Sequence, residues 1–140
     1  AGNDKVTGFI LGGMDSNINI ESSHFRRGKG KIGGAITLKS ATSLTVKQSS
    51  FEKCNGSISG GAISVTNTKT IIIQDSIFLS NKSSSTGDIV IIDAASFVIS
   101  STEFLGVSSK GSLQIIGVDE VHLESIILTT QNEFVQTNSE

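Results

Sequence analysis

Apolar and polar residues alternate along this chain in short runs, and the runs recur at a nearly fixed interval. In the first run of each copy, Ile10/Gly12, Ile36/Leu38, Ile63/Val65, Ile89/Ile91 and Leu113/Ile115 point one way. In the second run, Ile18/Ile20, Leu44/Val46, Ile71/Ile73, Phe97/Ile99 and Val121/Leu123 do the same. Alternation with a period of two, in β-branched residues, predicts half-buried strands. No stretch of useful length carries the 3.6-residue period of a helix. Gly8, Gly34, Gly61, Gly87 and Gly111 stand two residues before the first run, and Phe25, Phe51, Phe78, Phe104 and Leu128 close each copy. Spacing within a copy is constant; only the stretch from the closing residue to the next glycine changes length. Self-similarity of this kind marks a solenoid or related array. Strands of three to five residues separated by corners, repeating every 24–27 residues, predict an all-β parallel β-helix. It would have about five coils starting near residues 8, 34, 61, 87 and 111, with 1–7 and 129–140 as terminal connector segments.

Stacking successive coils at the ordinary strand spacing of about 4.8 Å turns each inward position into a column of like residues. The clearest column is Phe25, Phe51, Phe78 and Phe104. Two residues earlier runs Ser23, Ser49, Ser76 and Thr102, ending in Ile126. Small hydroxyls there are placed to hydrogen-bond along the stack or to corner backbone.

Composition adds limits more than directions. The chain has 140 residues, no Pro, Trp or Tyr, and a net charge of −2. No run approaches the roughly 18 apolar residues of a membrane span, and residues 1–8 lack the basic-then-apolar order of a signal peptide. Cys54 is the single cysteine, so no internal disulfide forms. Charge is unevenly spread: positive residues outnumber acidic ones from Lys5 to Lys53, and none occurs from Gly111 to Glu140.

Two tetrapeptides, Gly33-Gly34-Ala35-Ile36 and Gly60-Gly61-Ala62-Ile63, together with Phe78-Leu79-Ser80-Asn81, resemble the GG[A/L/I][I/L/V] and FxxN signatures of the polymorphic outer membrane protein repeat of chlamydial and protist surface proteins. The resemblance spans Gly8 to about Leu128. It departs where Phe51 is followed by Glu-Lys-Cys-Asn, one residue too long, where Phe25 and Phe104 lack the Asn, and where the fourth coil opens Thr86-Gly87-Asp88-Ile89. The resemblance implies a right-handed β-helix outside the cell, used in adhesion or as a surface scaffold.

Candidate chemistry is sparse. Many β-helices cleave polysaccharides with carboxylates clustered on one outward face. Here the outward positions of the first strand are Leu11, Thr37, Ser64, Val90 and Gln114. With the flanking Phe9, Ala35, Ala62, Asp88 and Ser112 they contain one carboxylate, which predicts no catalytic residues. His24 and His122 fall on different coils without ligand spacing, so neither a metal nor another cofactor is expected. Gly28-Lys29-Gly30-Lys31 lacks the strand–glycine–helix setting of a phosphate loop and reads as a corner. The basic run from His24 to Lys31 reads as a solvated connector, a subunit contact or an anion-binding patch. With no aromatic interleaved for stacking, nucleic acid is not the expected partner. Asn55-Gly56-Ser57 and Asn81-Lys82-Ser83 match the N-glycosylation sequon and are expected to face solvent on one edge of consecutive coils.

The ends carry the functional expectation. Neither shows a cap, and open strand edges invite further pairing. Arg26, Arg27, Lys29 and Lys31 in the first coil, against Asp119, Glu120 and Glu124 in the last, suggest opposite-charge ends stacking head to tail, a contact that builds open filaments. The expected function is therefore a non-enzymatic extracellular structural or adhesive β-helix. It would be either a self-associating subunit of a filament or a segment of a longer surface protein, with a glycan or host surface as possible ligand and without membrane insertion. The alternative is a carbohydrate-binding or polysaccharide-processing β-helix domain.

Overall fold

A computed structural model describes residues 10–12, 14–83, 87–105, 113–128 and 135–138. They form the strands β1 (Ile10–Gly12), β2 (Asn17–Glu21), β3 (His24–Arg26), β4 (Lys29–Ile32), β5 (Ile36–Lys39), β6 (Ser43–Lys47), β7 (Ser50–Glu52), β8 (Asn55–Ser59), β9 (Ile63–Gln74), β10 (Ile77–Leu79), β11 (Lys82–Ser83), β12 (Ile89–Leu105), β13 (Leu113–Leu128) and β14 (Val135–Asn138). Every pairing between them is parallel and joins one repeat to the next. The fold is a parallel β-solenoid of about four turns. The described residues make about four turns where the repeat count predicts about five coils.

The register follows the sequence columns. Ile36 lies on Ile63 and Ile63 beneath Ile89. Phe25, Phe51, Phe78 and Phe104 form one stack with ring centroids 4.8, 4.8 and 5.2 Å apart and planes within 15° of parallel. Tier spacing imposes that face-to-face arrangement. The inward Ile, Leu, Val and Phe of tiers two to four are fully buried.

The hydroxyl column does both things asked of it. Ser49 Oγ donates to the Lys47 carbonyl (2.9 Å) and accepts from the Ser23 N–H of the tier below (3.1 Å). Ser76 repeats the pattern with the Gln74 carbonyl and the Ser49 N–H, and Thr102 donates to the Ser100 carbonyl. Each hydroxyl thus satisfies polar backbone at a corner that water does not reach.

Corners are made by single residues in the left-handed region. Asp15, Ser40, Asn67, Asp93 and Gly117 stack at the first corner. Ser22, Gln48, Asp75, Ser101 and Ser125 stack at the second, and Arg27, Lys53 and Ser80 at the third. Backbone hydrogen bonds run through these corners, for example Ser40 N–H to the Thr66 carbonyl and Gln48 N–H to the Gln74 carbonyl. A local αL cost at each corner is therefore offset by an unbroken ladder.

The paired glycines divide two tasks. Gly33 and Gly60 have φ of +78° and +60°. A Cβ on Gly34 would lie 2.2 Å from the Gly61 carbonyl oxygen, and one on Gly61 2.8 Å from the Lys82 nitrogen. The first glycine turns the chain, and the second lets the next tier approach.

Three expectations need correction. Gly28–Lys31 is no mere corner: Lys29–Ile32 is β4, which with β8 and β11 makes a separate three-stranded parallel sheet. The connectors thus form a fourth side of the solenoid. A Cβ on Gly33 or Gly60 would come within 3.0 Å of Thr37 or Ser64 on the first strand's outer face. That face is not solvent-exposed throughout, and Ser64 and Val90 are buried. Finally, 129–140 is not all connector, because Val135–Asn138 pairs with Leu113–Ile116 as the start of a further tier. The coil starts at Gly8 and Gly111, and residues 1–7, 129–134 and 139–140, lie outside the described residues.

Candidate functional site

The third corner and the connector sheet together build a strongly basic concavity. Arg27 and Lys53 are consecutive αL corner residues, fixed by N–H bonds to the carbonyls of Glu52 (2.9 Å) and Leu79 (3.0 Å). Lys29, Asn55 and Lys82 are stacked neighbours at the starts of β4, β8 and β11. These side chains are exposed, and with Ser80 and the buried Cys54 they line a groove of about 570 Å³. Among the described residues none of the four cations is ion-paired. The sequence placed Arg27 and Lys29 in a basic run. It did not show that Lys53 and Lys82, from the next two tiers, join them. The one available signal was their position two or four residues after the phenylalanine of their tier, the phase that returns to the same edge.

Beneath the groove lies a buried polar knot. Asn81 is fully buried. Its Oδ1 accepts from the Cys54 N–H (2.9 Å) and its Nδ2 donates to the Phe51 carbonyl (3.1 Å). Asn81 also donates to the Asp88 carboxyl from side chain and backbone. The second carboxyl oxygen of Asp88, Oδ1, has no hydrogen-bond partner among the described residues. Burial pushes the Asp88 carboxyl up to about 8, against the opposing Asn81 bonds. It also pushes the Cys54 thiol up to about 11, the bonds from neighbouring backbone acting the other way and the nearby Asp88 charge with it. Cys54 is thus an inert packed thiol at neutral pH.

The sequons separate on this geometry. Asn55 is exposed. Asn81 does not face solvent, which corrects the expectation for it: its side chain replaces backbone partners inside the wall. Secreted from a glycosylating host, the folded chain is expected to carry glycan at Asn55 and none at Asn81. Glycopeptide mass mapping checks this, and an occupied Asn81 in native protein would contradict it.

The charge pairing expected of the two ends would join two copies, and within one chain these charges have other neighbours. Arg26 pairs with Glu52 of the second tier, at 3.4 Å. Asp119, Glu120 and Glu124 are exposed, but Glu120 and Glu124 sit in the columns of Asn17 and Glu21. Continuing those columns into a second copy would set Glu124 against Glu21, like on like. Arg27 and Lys29 belong to the groove, and the side chain of Lys31 lies outside the described residues.

Other candidates are dispersed. His122 pairs with Glu124 at 3.3 Å on the same strand. His24 Nδ1 meets Ser50 Oγ at 2.5 Å on the outer face of the third strand. This joins an imidazole to a hydroxyl across two tiers, with no carboxylate bonded to the ring among the described residues. A second trough of about 540 Å³ follows the first corner, where Asp15, Asn67, Lys69, Asp93 and Asp119 line it. Among the described residues no three His, Cys, Asp or Glu side chains are arranged to hold a metal ion, and no helix is long and apolar enough to cross a membrane.

Comparison of the chain with protein-family models, with curated proteins and with solved structures yields no match.

Proposed function

We propose that this chain is a non-enzymatic structural and adhesive β-solenoid of the cell exterior, working as one unit in a longer stack of tiers. One observation carries the reading. Val121 and Leu123 occupy inward columns in which Phe97 and Ile99 are fully buried, yet they are 43% and 39% exposed. Among the described residues, only Leu113–Ile116 of that tier is covered by a further strand. Among the described residues the rest of β13 offers unpaired backbone beside open apolar columns, the surface a further tier would cover. The GGAI and FxxN signatures, which resemble repeats of surface adhesins, add the exterior location and the adhesive role.

Two carriers of that next tier fit: a second copy of this chain, or further residues of a longer polypeptide. Sedimentation of the 140-residue chain over a wide concentration range separates them. Reversible growth is expected, and the pair Val121→Lys and Leu123→Lys should abolish it. A monomer at every concentration overturns self-stacking and leaves the longer polypeptide as the carrier.

A further inference from the structure

The groove at the third corner has a shape and charge order that name a ligand class. Its cations form two columns parallel to the solenoid axis: Arg27 over Lys53, and Lys29 and Lys82 flanking Asn55. Neighbours in a column are one strand spacing apart, about 4.8 Å, and Lys29 and Lys82 two spacings, about 10 Å. Like charges held this close repel, and nothing in the described protein neutralises them. A concave wall concentrates their field. The chain as a whole carries −2, so this is a local feature and not a general basic character.

We propose that the groove binds a linear acidic polysaccharide, running along the solenoid axis with its carboxylates or sulfates against Arg27, Lys29, Lys53 and Lys82. Asn55 and Ser80, an amide and a hydroxyl interleaved among the cations, supply the hydrogen bonds that sugar hydroxyls need. No aromatic lines the groove, which removes the stacking platform that single-stranded nucleic acid uses. The cations line a concavity rather than a flat face, which favours a chain over a bilayer surface. The proposal deepens the adhesive reading by giving it a ligand. It does not depend on self-stacking, because the groove belongs to tiers one to three and the open columns to the last. The exposed Asn55 also makes ligand and glycan competitors: a chain glycosylated there should not bind.

The test uses unglycosylated chain and size-defined heparin, with polygalacturonate as the carboxylate-only probe and neutral dextran as the blank. The variant combines Arg27→Asn, Lys53→Asn, Lys29→Gln and Lys82→Gln; Asn is chosen at the two corners because it tolerates the left-handed backbone. A control removes charge elsewhere with Lys39→Gln and Lys47→Gln, both exposed and off the groove. Heparin is expected to bind with an affinity that falls steeply with salt. The groove variant should weaken it at least tenfold and flatten the salt dependence, while the control changes it less than twofold. Circular dichroism melts confirm that each variant is folded; should the fourfold variant not fold, the pair Lys29→Gln and Lys82→Gln is read with a threefold threshold. Absence of heparin and polygalacturonate binding overturns the proposal. So does equal loss in groove variant and control, or equal affinity for a single-stranded oligonucleotide or for phosphatidylserine vesicles.

Discussion

Replacing Phe78 with alanine is expected to destabilise the chain by about 3–5 kcal/mol, the range for removing a buried aromatic ring. Phe78 is fully buried and, like Phe51, has a ring on each side, Phe51 at 4.8 Å and Phe104 at 5.2 Å. The gap cannot close, because the backbones above and below are held apart by their own ladders. Phe78→Ala therefore removes the transfer energy and two ring contacts while leaving a cavity. It also weakens the coupling between the lower and upper tiers, on which a solenoid's cooperativity rests. Chemical denaturation should show the midpoint falling sharply and the transition broadening. Phe25→Ala, at the edge of the stack, should cost clearly less. A loss below about 1 kcal/mol for Phe78→Ala would mean that the column is not the spine of the core.

Removing the Asp88 carboxyl should have the opposite sign and a strong pH dependence. Tiers two and three place Ala35 and Ala62 at this position, both fully buried. The fourth tier puts a carboxyl in the same slot, raised to about 8 by burial. Unfolded, an Asp titrates near 3.9. The native state therefore keeps a proton that the unfolded chain has released, and the unfolded state gains from ionisation. Stability is fully retained below about pH 4, falls as pH rises towards about 8, and levels off above it. The slope is at most about 1.4 kcal/mol per pH unit. Asp88→Ala should melt close to wild type at pH 4, at a higher temperature at pH 8, and lose most of the decline between. The slot is shaped for alanine in the neighbouring tiers, so the substitution leaves no unusual void. Parallel pH profiles for the two proteins would show that Asp88 does not hold its proton in the fold.

The same position shows how far reading the chain as a line of residues can go. Thr86-Gly87-Asp88-Ile89 was visible as a departure from Gly-Gly-Ala-Ile. That the carboxyl lies against Asn81 and Cys54 was not, because those residues come from the connectors one and two tiers earlier. Asn81 is the sharper case. As part of Asn-Lys-Ser it reads as a surface sequon; as the Asn of Phe-x-x-Asn it holds the wall together. Both readings use the same residue, and only the path of the wall after Phe78 decides between them. Asn55 is one residue further from its phenylalanine, which is enough to move it outside.

The basic groove has a similar history. A run of cations from Arg26 to Lys31 stood out in the sequence, but a run is not a site. Its neighbours in space are Lys53 and Lys82, at 26 and 53 residues from Arg27 and Lys29. Arg26, the first of the run, turns to Glu52 and leaves the group.

What the sequence determined by itself is the class of fold, its strands and the register of its core. Those follow from the period-two alternation and the repeat length, because a one-residue slip would turn every apolar column outward. The tertiary structure alone decided the corners, the fourth side and the surfaces. An αL corner accepts Asp, Ser, Asn, Gln, Lys or Arg here, so its conformation comes from the ladders on either side and not from residue type. The connectors vary in length, and only stacking shows that they pair with one another. The charges that meet in the groove are set by one strand spacing in space and by a whole repeat in sequence, a relation that exists only once the tiers are stacked.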